Sequence, residues 1–228
     1  MRVLGLDCAW TAGAAVIDGD TLLAACVAGE GARPAAQLVP LAARALGEAG
    51  LGLADIDGIA VGTGPGSYAG VRTAVATAKA WAWAGGRPLV GVDSLAALAL
   101  AAGPFPGPVW AVLDARNGHL FAGCFRDSGA GDLLSLVPAV FLDAPLLGQR
   151  LAAAEDAVLV AGAAGPWAGG VPTRPQALGG MAAGVARLGA RALAAGAAQD
   201  PLTLVPRYLR EPQLGRPGTA VERNPAGT

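Results

Sequence analysis

The chain has 228 residues with nearly balanced charge, 16 Lys and Arg against 17 Asp and Glu, and only 14% of its residues are charged. That leaves no basic field able to hold a nucleic-acid backbone unaided, so any nucleic-acid role requires a partner. Three widely spaced cysteines, Cys8, Cys26 and Cys124, argue against a disulfide framework and offer no CxxC zinc pair, which points to a reducing, cytoplasmic compartment.

The opening MRVLGLD meets an aspartate too early for the apolar core of a signal peptide, so no leader is expected. Val3–Asp7, Ala14–Ile17 and Leu22–Cys26 read as strands, with Asp18-Gly19-Asp20 as turn chemistry between the last two, and together predict an antiparallel meander. Leu38, Leu41, Ala42, Ala45 and Leu46 recur at helical spacing, which predicts a helix over 37–49 stopped by Gly50. Ile59–Val61 reads as a buried strand running into GTGPGSYAGVRT, residues 62–73. A second helix is predicted from Ser67 to Ala84, ended by Gly85-Gly86. Leu89-Val90 makes a short strand, and Asp93-Ser94 caps a helix through Ala101.

The longest uncharged run, Ser94–Leu113, is broken by Pro104, Pro106 and Pro108, so it cannot span a membrane as a helix. A mean hydropathy of +0.49 then reflects alanine and valine rather than insertion. The prolines mark a boundary between lobes. After it the pattern restarts: strand Val109–Asp114, turn Arg116-Asn117-Gly118, strand His119–Phe125, with an aspartate again ending the first strand. Val158–Ala161 and a helix over 181–195 are expected to complete a smaller second α/β lobe. The tail 211–228, rich in Pro, Gly and charge, is predicted to be disordered. The expected division is therefore 1–103, 104–210 and 211–228.

The glycine-rich stretch resists several chemistries. A P-loop needs a Lys that no register supplies. Gly64-Pro-Gly-Ser-Tyr-Ala69 fits the dinucleotide G-x-G-x-x-G/A pattern between strand and helix, yet no acid follows about 20 residues on, where the chain reads Trp83-Ala-Gly-Gly-Arg87. A nucleophile elbow fails because Pro65 stands two before Ser67. His119 is the only histidine, so a Ser67–His119–Asp triad lacks a local signature and no histidine metal cluster can form. Beyond the glycines, Gly70, Thr73, Thr77 and Ala80 form a stripe of small residues, while Val71, Ala74, Val75, Ala78 and Ala82 supply a face for the sheet. The small stripe, with Arg72 and Lys79, is left for packing within the lobe or for a partner. Ser67 suits an N-cap.

Gly64-Pro-Gly-Ser-Tyr-Ala-Gly-Val-Arg72 with Ala78-Lys79 resembles the GPGSFTGLR…AKG signature of the TsaB (YeaZ) family, accessory subunits for threonylcarbamoyladenosine (t6A) synthesis on tRNA. The likeness continues through Val3–Asp7, Gly91–Leu95, Asp114-Ala-Arg116 and Pro206-Arg-Tyr-Leu-Arg210, nearly the whole chain. It implies an α/β, actin-like, Hsp70-like ATPase (ASKHA) fold of two related lobes. It also implies a non-catalytic subunit that binds and activates the transferase TsaD through helices of the first lobe, for N6-threonylcarbamoylation of adenosine 37 in tRNAs reading ANN codons. TsaE and, functionally, TsaC complete the set of partners; a homodimer is open for the isolated chain, and tRNA is reached only through the complex.

By the same resemblance the interface is expected at Gly66, Ser67, Tyr68, Gly70, Arg72, Thr73 and Thr77. No catalytic residue, metal or tightly bound cofactor is expected. Asp7 would be the remnant of a phosphate site, and ATP or ADP would sit only at an interface with partner subunits. Cys8-Ala9-Trp10, Ala69 and His119 depart from the family pattern. Two other readings stand beside this one: a self-sufficient nucleotide-binding kinase or hydrolase of the same fold relying on Asp7, and a Ser67-dependent peptidase.

Overall fold

Strand β1 (Arg2–Asp7) is buried at every position after Arg2, because both faces of its sheet are covered. Leu4 and Leu6 point to one side, into a core with Leu38, Leu41, Val71 and Val75; Val3 points to the other, with Val185 and Ala186. The computed structural model that shows this describes residues 1–29, 34–129, 133–154, 159–162, 165–174 and 180–210. β2 (Gly13–Asp18) and β3 (Thr21–Val27) complete the expected antiparallel meander. β4 (Gly58–Gly62) and β5 (Leu89–Val92) add in parallel on the other side, giving the order β3-β2-β1-β4-β5. Helices α1 (Pro34–Glu48) and α2 (Tyr68–Gly85) cover one face of this sheet. Gly86, left-handed at φ 59°, ends α2 as the glycine pair predicts.

After α3 (Ser94–Ala101), β6 (Val109–Arg116) and β7 (His119–Asp127) form the predicted hairpin, with Asn117 and Gly118 both at positive φ. β8 (Leu133–Asp143), helix α4 (Ala144–Ala152), β9 (Leu159–Gly162) and β10 (Thr173–Arg174) complete a sheet of order β8-β7-β6-β9-β10. Both sheets are built alike: a central strand extended by two successive antiparallel pairings on one side and two successive parallel pairings on the other. That duplicated mixed sheet is the actin-like architecture. α4 buries Leu147 and Leu151 against one face of the second sheet, and α3 lays Leu95 and Leu98 against the other with Phe121 and Phe125.

Chain order misleads at the last helix. α5 (Gly180–Ala194), expected to complete the second lobe, packs instead on the first sheet, over β1, β2 and β4. The reason is shape: a Cβ at Gly5 would lie 2.5 Å from the Ala182 carbonyl oxygen, and one at Gly189 would lie 2.2 Å from the Ala60 Cβ. Small residues on strand and helix let this helix sit unusually close. The tail 211–228 lies outside the described residues. Among those described, no helix is long and apolar enough to cross a membrane.

Candidate functional site

The turn between β4 and α2 interlocks with the turn after β1. Ser67 N–H donates to the Ala9 carbonyl at 2.7 Å. A Cβ at Gly66 would come within 2.4 Å of that same oxygen, and one at Gly70 within 2.0 Å of the Cys8 carbonyl oxygen. These glycines therefore permit close backbone contact. Ser67 caps α2 as expected, its side chain accepting from the Gly70 N–H at 3.3 Å.

Asp7 sits beneath this junction, 1% exposed. One carboxylate oxygen accepts from the Ala9 N–H at 2.9 Å, the other from the Ser94 hydroxyl at 2.7 Å, and Ser94 Oγ in turn accepts from the Gly64 N–H at 3.2 Å. Burial pushes the carboxyl up from 3.8 to about 6, partly offset by those two bonds. The neighbouring Cys8 thiol, also buried, is pushed up to about 12 by burial and then by the Asp7 charge, which favours the protonated thiol. Asp7 thus ties β1, the 62–66 turn and the start of α3 together from inside. Among the described residues, no three His, Cys, Asp or Glu side chains gather closely enough to hold a metal ion.

The predicted interface residues divide. Ser67, Tyr68 and Arg72 are exposed, and Thr73 and Thr77 are half-buried, with the Thr73 hydroxyl donating to the Ala69 carbonyl at 2.9 Å. Gly70 is buried and so belongs to no outward face, while Gly66 is half-buried with its α-carbon against Ala9. For Gly70 the expected placement is corrected: spacing put it in the small-residue stripe, but contact with Cys8 turns it inward. Ala69, Arg72, Ala76, Ala80 and Trp83 form the outward face instead, while Val71, Ala74, Val75, Ala78 and Ala82 are buried as expected.

Two further features were not read from the sequence. The segment 199–210 runs from the edge of the first sheet along α2. Gln199 N–H donates to the Leu89 carbonyl at 2.7 Å, Lys79 Nζ donates to the Leu202 and Leu204 carbonyls at 3.3 and 2.8 Å, and Arg207 N–H donates to the Thr63 carbonyl at 2.8 Å. Tyr208 stacks on Tyr68 at 4.5 Å and Arg207 pairs with Asp93 at 3.0 Å. Between the lobes lies an open cavity of about 420 Å³, walled by Trp10 and Tyr68 from one side, Asp114, Arg116 and Phe121 from the other, and bordered by residues 207–210. The Pro206–Arg210 motif was the available signal for this strap; its contact with Tyr68 requires the fold.

The family of tRNA N6-adenosine threonylcarbamoyltransferases (TsaD) matches residues 33–135, which include α1 and α2. The chain spans only a quarter of the length of the Cereibacter sphaeroides transferases it resembles. Other relatives match more broadly. An uncharacterised Mycobacterium tuberculosis protein is 33% identical over 78% of this chain and 75% of its own. The Bacillus subtilis tRNA threonylcarbamoyladenosine biosynthesis protein TsaB is 32% identical over 55% of this chain and 56% of its own. YeaZ from Pseudomonas aeruginosa superimposes with a TM-score of 0.77 at 27% identity, over 91% of this chain and 99% of that one. The chain belongs to the TsaB (YeaZ) family. Within a TsaB fold, the glycine turn, α2 and the strap are neighbouring parts of one surface.

Proposed function

We propose that this TsaB-family chain takes part in t6A synthesis as a non-catalytic subunit that binds and activates TsaD, which transfers the threonylcarbamoyl group to N6 of adenosine 37 in tRNAs reading ANN codons. The observation that carries this reading is the stretch that resembles the transferase. Residues 33–135 contain both helices that cover the outer face of the first sheet, so a transferase presents its own version of the same pair. Two related helix pairs can meet about a pseudo-twofold axis, the arrangement that closed dimers favour. The exposed face of α2, with Ala69, Ala76 and Ala80, suits such close helix approach. TsaE and TsaC act in the same assembly line, and tRNA is reached through the complex.

The buried, doubly hydrogen-bonded Asp7 supports a supporting role for this chain over a phosphate-handling one. Ser67, engaged as a helix cap, supports the same choice over a peptidase. The test is reconstitution of tRNA modification from purified TsaD, TsaE and TsaC with ATP, threonine and bicarbonate, with and without this chain. Modification that depends on the chain is expected; equal modification without it overturns the proposal. Tight binding of ATP and magnesium with turnover by the isolated chain would favour the kinase or hydrolase reading instead.

A further inference from the structure

Among the described residues, the three most exposed large apolar side chains are Leu202 at 73%, Trp83 at 72% and Val205 at 68%. They lie together. Lys79 and Trp83 are one turn apart on the same stripe of α2, and Lys79 grips the carbonyls of Leu202 and Leu204. Leu204, between the two exposed residues, is turned inward and 7% exposed, so the strap is anchored by one side chain while its neighbours face solvent. Further along, Tyr208 stacks on Tyr68, fixing the strap to the other end of α2. Because α1 packs on β2 and β3 while the strap pairs with the edge strand β5, the two flank α2 on opposite sides.

A helix pair alone offers little to hold a partner here. Alanines at 36, 43, 69, 76 and 80 take up much of its outward face, and its large exposed apolar side chains are Val39, Tyr68 and, most exposed, Trp83. A stable interface needs roughly 800 Å² and 20–30 residues a side, with large aromatic and aliphatic anchors near its centre. The most exposed anchors are Trp83 on α2 and, beside it, Leu202 and Val205 on a hydrogen-bonded strap that costs little ordering entropy on binding. We infer that Trp83, Leu202 and Val205 form the apolar anchor of the transferase-binding surface, so that the partner seats across α2 and the 202–205 strap and not on the α1–α2 pair alone. This rests on the proposal that the partner is the transferase.

The test measures the Kd of the full-length chain for the transferase of the same organism by titration calorimetry, with thermal melting of each variant alongside. Leu202→Asp with Val205→Asp is expected to weaken binding at least tenfold with an unchanged melting temperature, and Trp83→Ala to weaken it similarly. Should the aspartates lower the melting temperature, Leu202→Ser with Val205→Ser replaces them. Ala76→Trp, on the helix face, serves as the reference. Strap variants that bind within twofold of wild type while Ala76→Trp blocks binding overturn the anchor and leave the proposed function standing. A wild-type chain that does not bind the transferase removes the proposed function itself. Strap variants that keep the transferase but dissociate a homodimer, seen by sedimentation, overturn the inference by assigning the anchor to a second copy.

Discussion

The two lobes end their central strands on the same device and put it to opposite uses. Asp7 closes β1 and accepts from the N–H two residues on, at Ala9, 2.9 Å away; Asp114, near the end of β6, does the same with Arg116 at 2.7 Å. In the first lobe the glycine turn and α3 roof this turn over, leaving Asp7 1% exposed. In the second the hairpin is open, Asp114 is exposed and lines the interlobe cavity, and a side chain at Gly118 would meet nothing within 4 Å. One carboxylate has become an internal brace for the helix that faces outward; its counterpart still faces the cleft.

The largest effect should come from filling the roof. Gly70→Val drives a side chain into the Cys8 carbonyl and is expected to cost about 3 kcal/mol or more, read as loss of the cooperative melt. In contrast, Gly118→Asn at the open hairpin, where φ is 78° and space is free, should change stability by less than about 0.5 kcal/mol.

The pH response of the buried aspartate comes next. Asp7 has its folded pKa raised to about 6 from 3.8, so its protonated form favours the fold. That contribution is fully present below about pH 3.8 and is lost as pH rises through about 6, of order 3 kcal/mol in all. Denaturant titrations between pH 4 and 7 should therefore show wild type gaining stability on acidification relative to Asp7→Asn. Parallel curves for Asp7→Asn and wild type would mean that Asp7 is better solvated than its burial implies.

Removing the brace is expected to cost about 2 kcal/mol in Asp7→Ala, which leaves the Ala9 N–H and the Ser94 hydroxyl without their partner, against about 0.5 kcal/mol or less for Asp114→Ala. Urea midpoints decide it. The smallest effect belongs to the strap: Tyr208→Ala should lose about 1 kcal/mol from the ring stack with Tyr68, visible as a small shift in melting temperature.

Much of this frame was legible locally. Asn117-Gly118 specified its hairpin, Ser67 and Asp93 their caps, and Gly85-Gly86 the end of α2, because each acts within a few residues. The duplicated lobes and the family likeness followed from ordered motifs. What escaped depends on approach across the sequence. The small stripe of α2 could not reveal that Gly70 meets Cys8, nor could residues 181–195 announce that they complement Gly5 and Ala60 on the other lobe. β8 was missed because its exposed positions and Pro138 suit an edge strand, where burial leaves no alternation to read. Trp83, Leu202 and Val205 were passed over for a related reason: an exposed hydrophobe becomes informative only once its neighbours in space are known.

Lys79 is the chain's single lysine, every other basic side chain being arginine or His119. Its ammonium holds the strap against α2. Apart from the N-terminus, amine chemistry therefore has one address on this protein, and it lies on the face proposed for the partner. An acylating reagent would neutralise that ammonium and withdraw its bonds to the strap, while an unoccupied face and a covered one would differ in how fast they react. The molecule carries its own built-in footprinting probe.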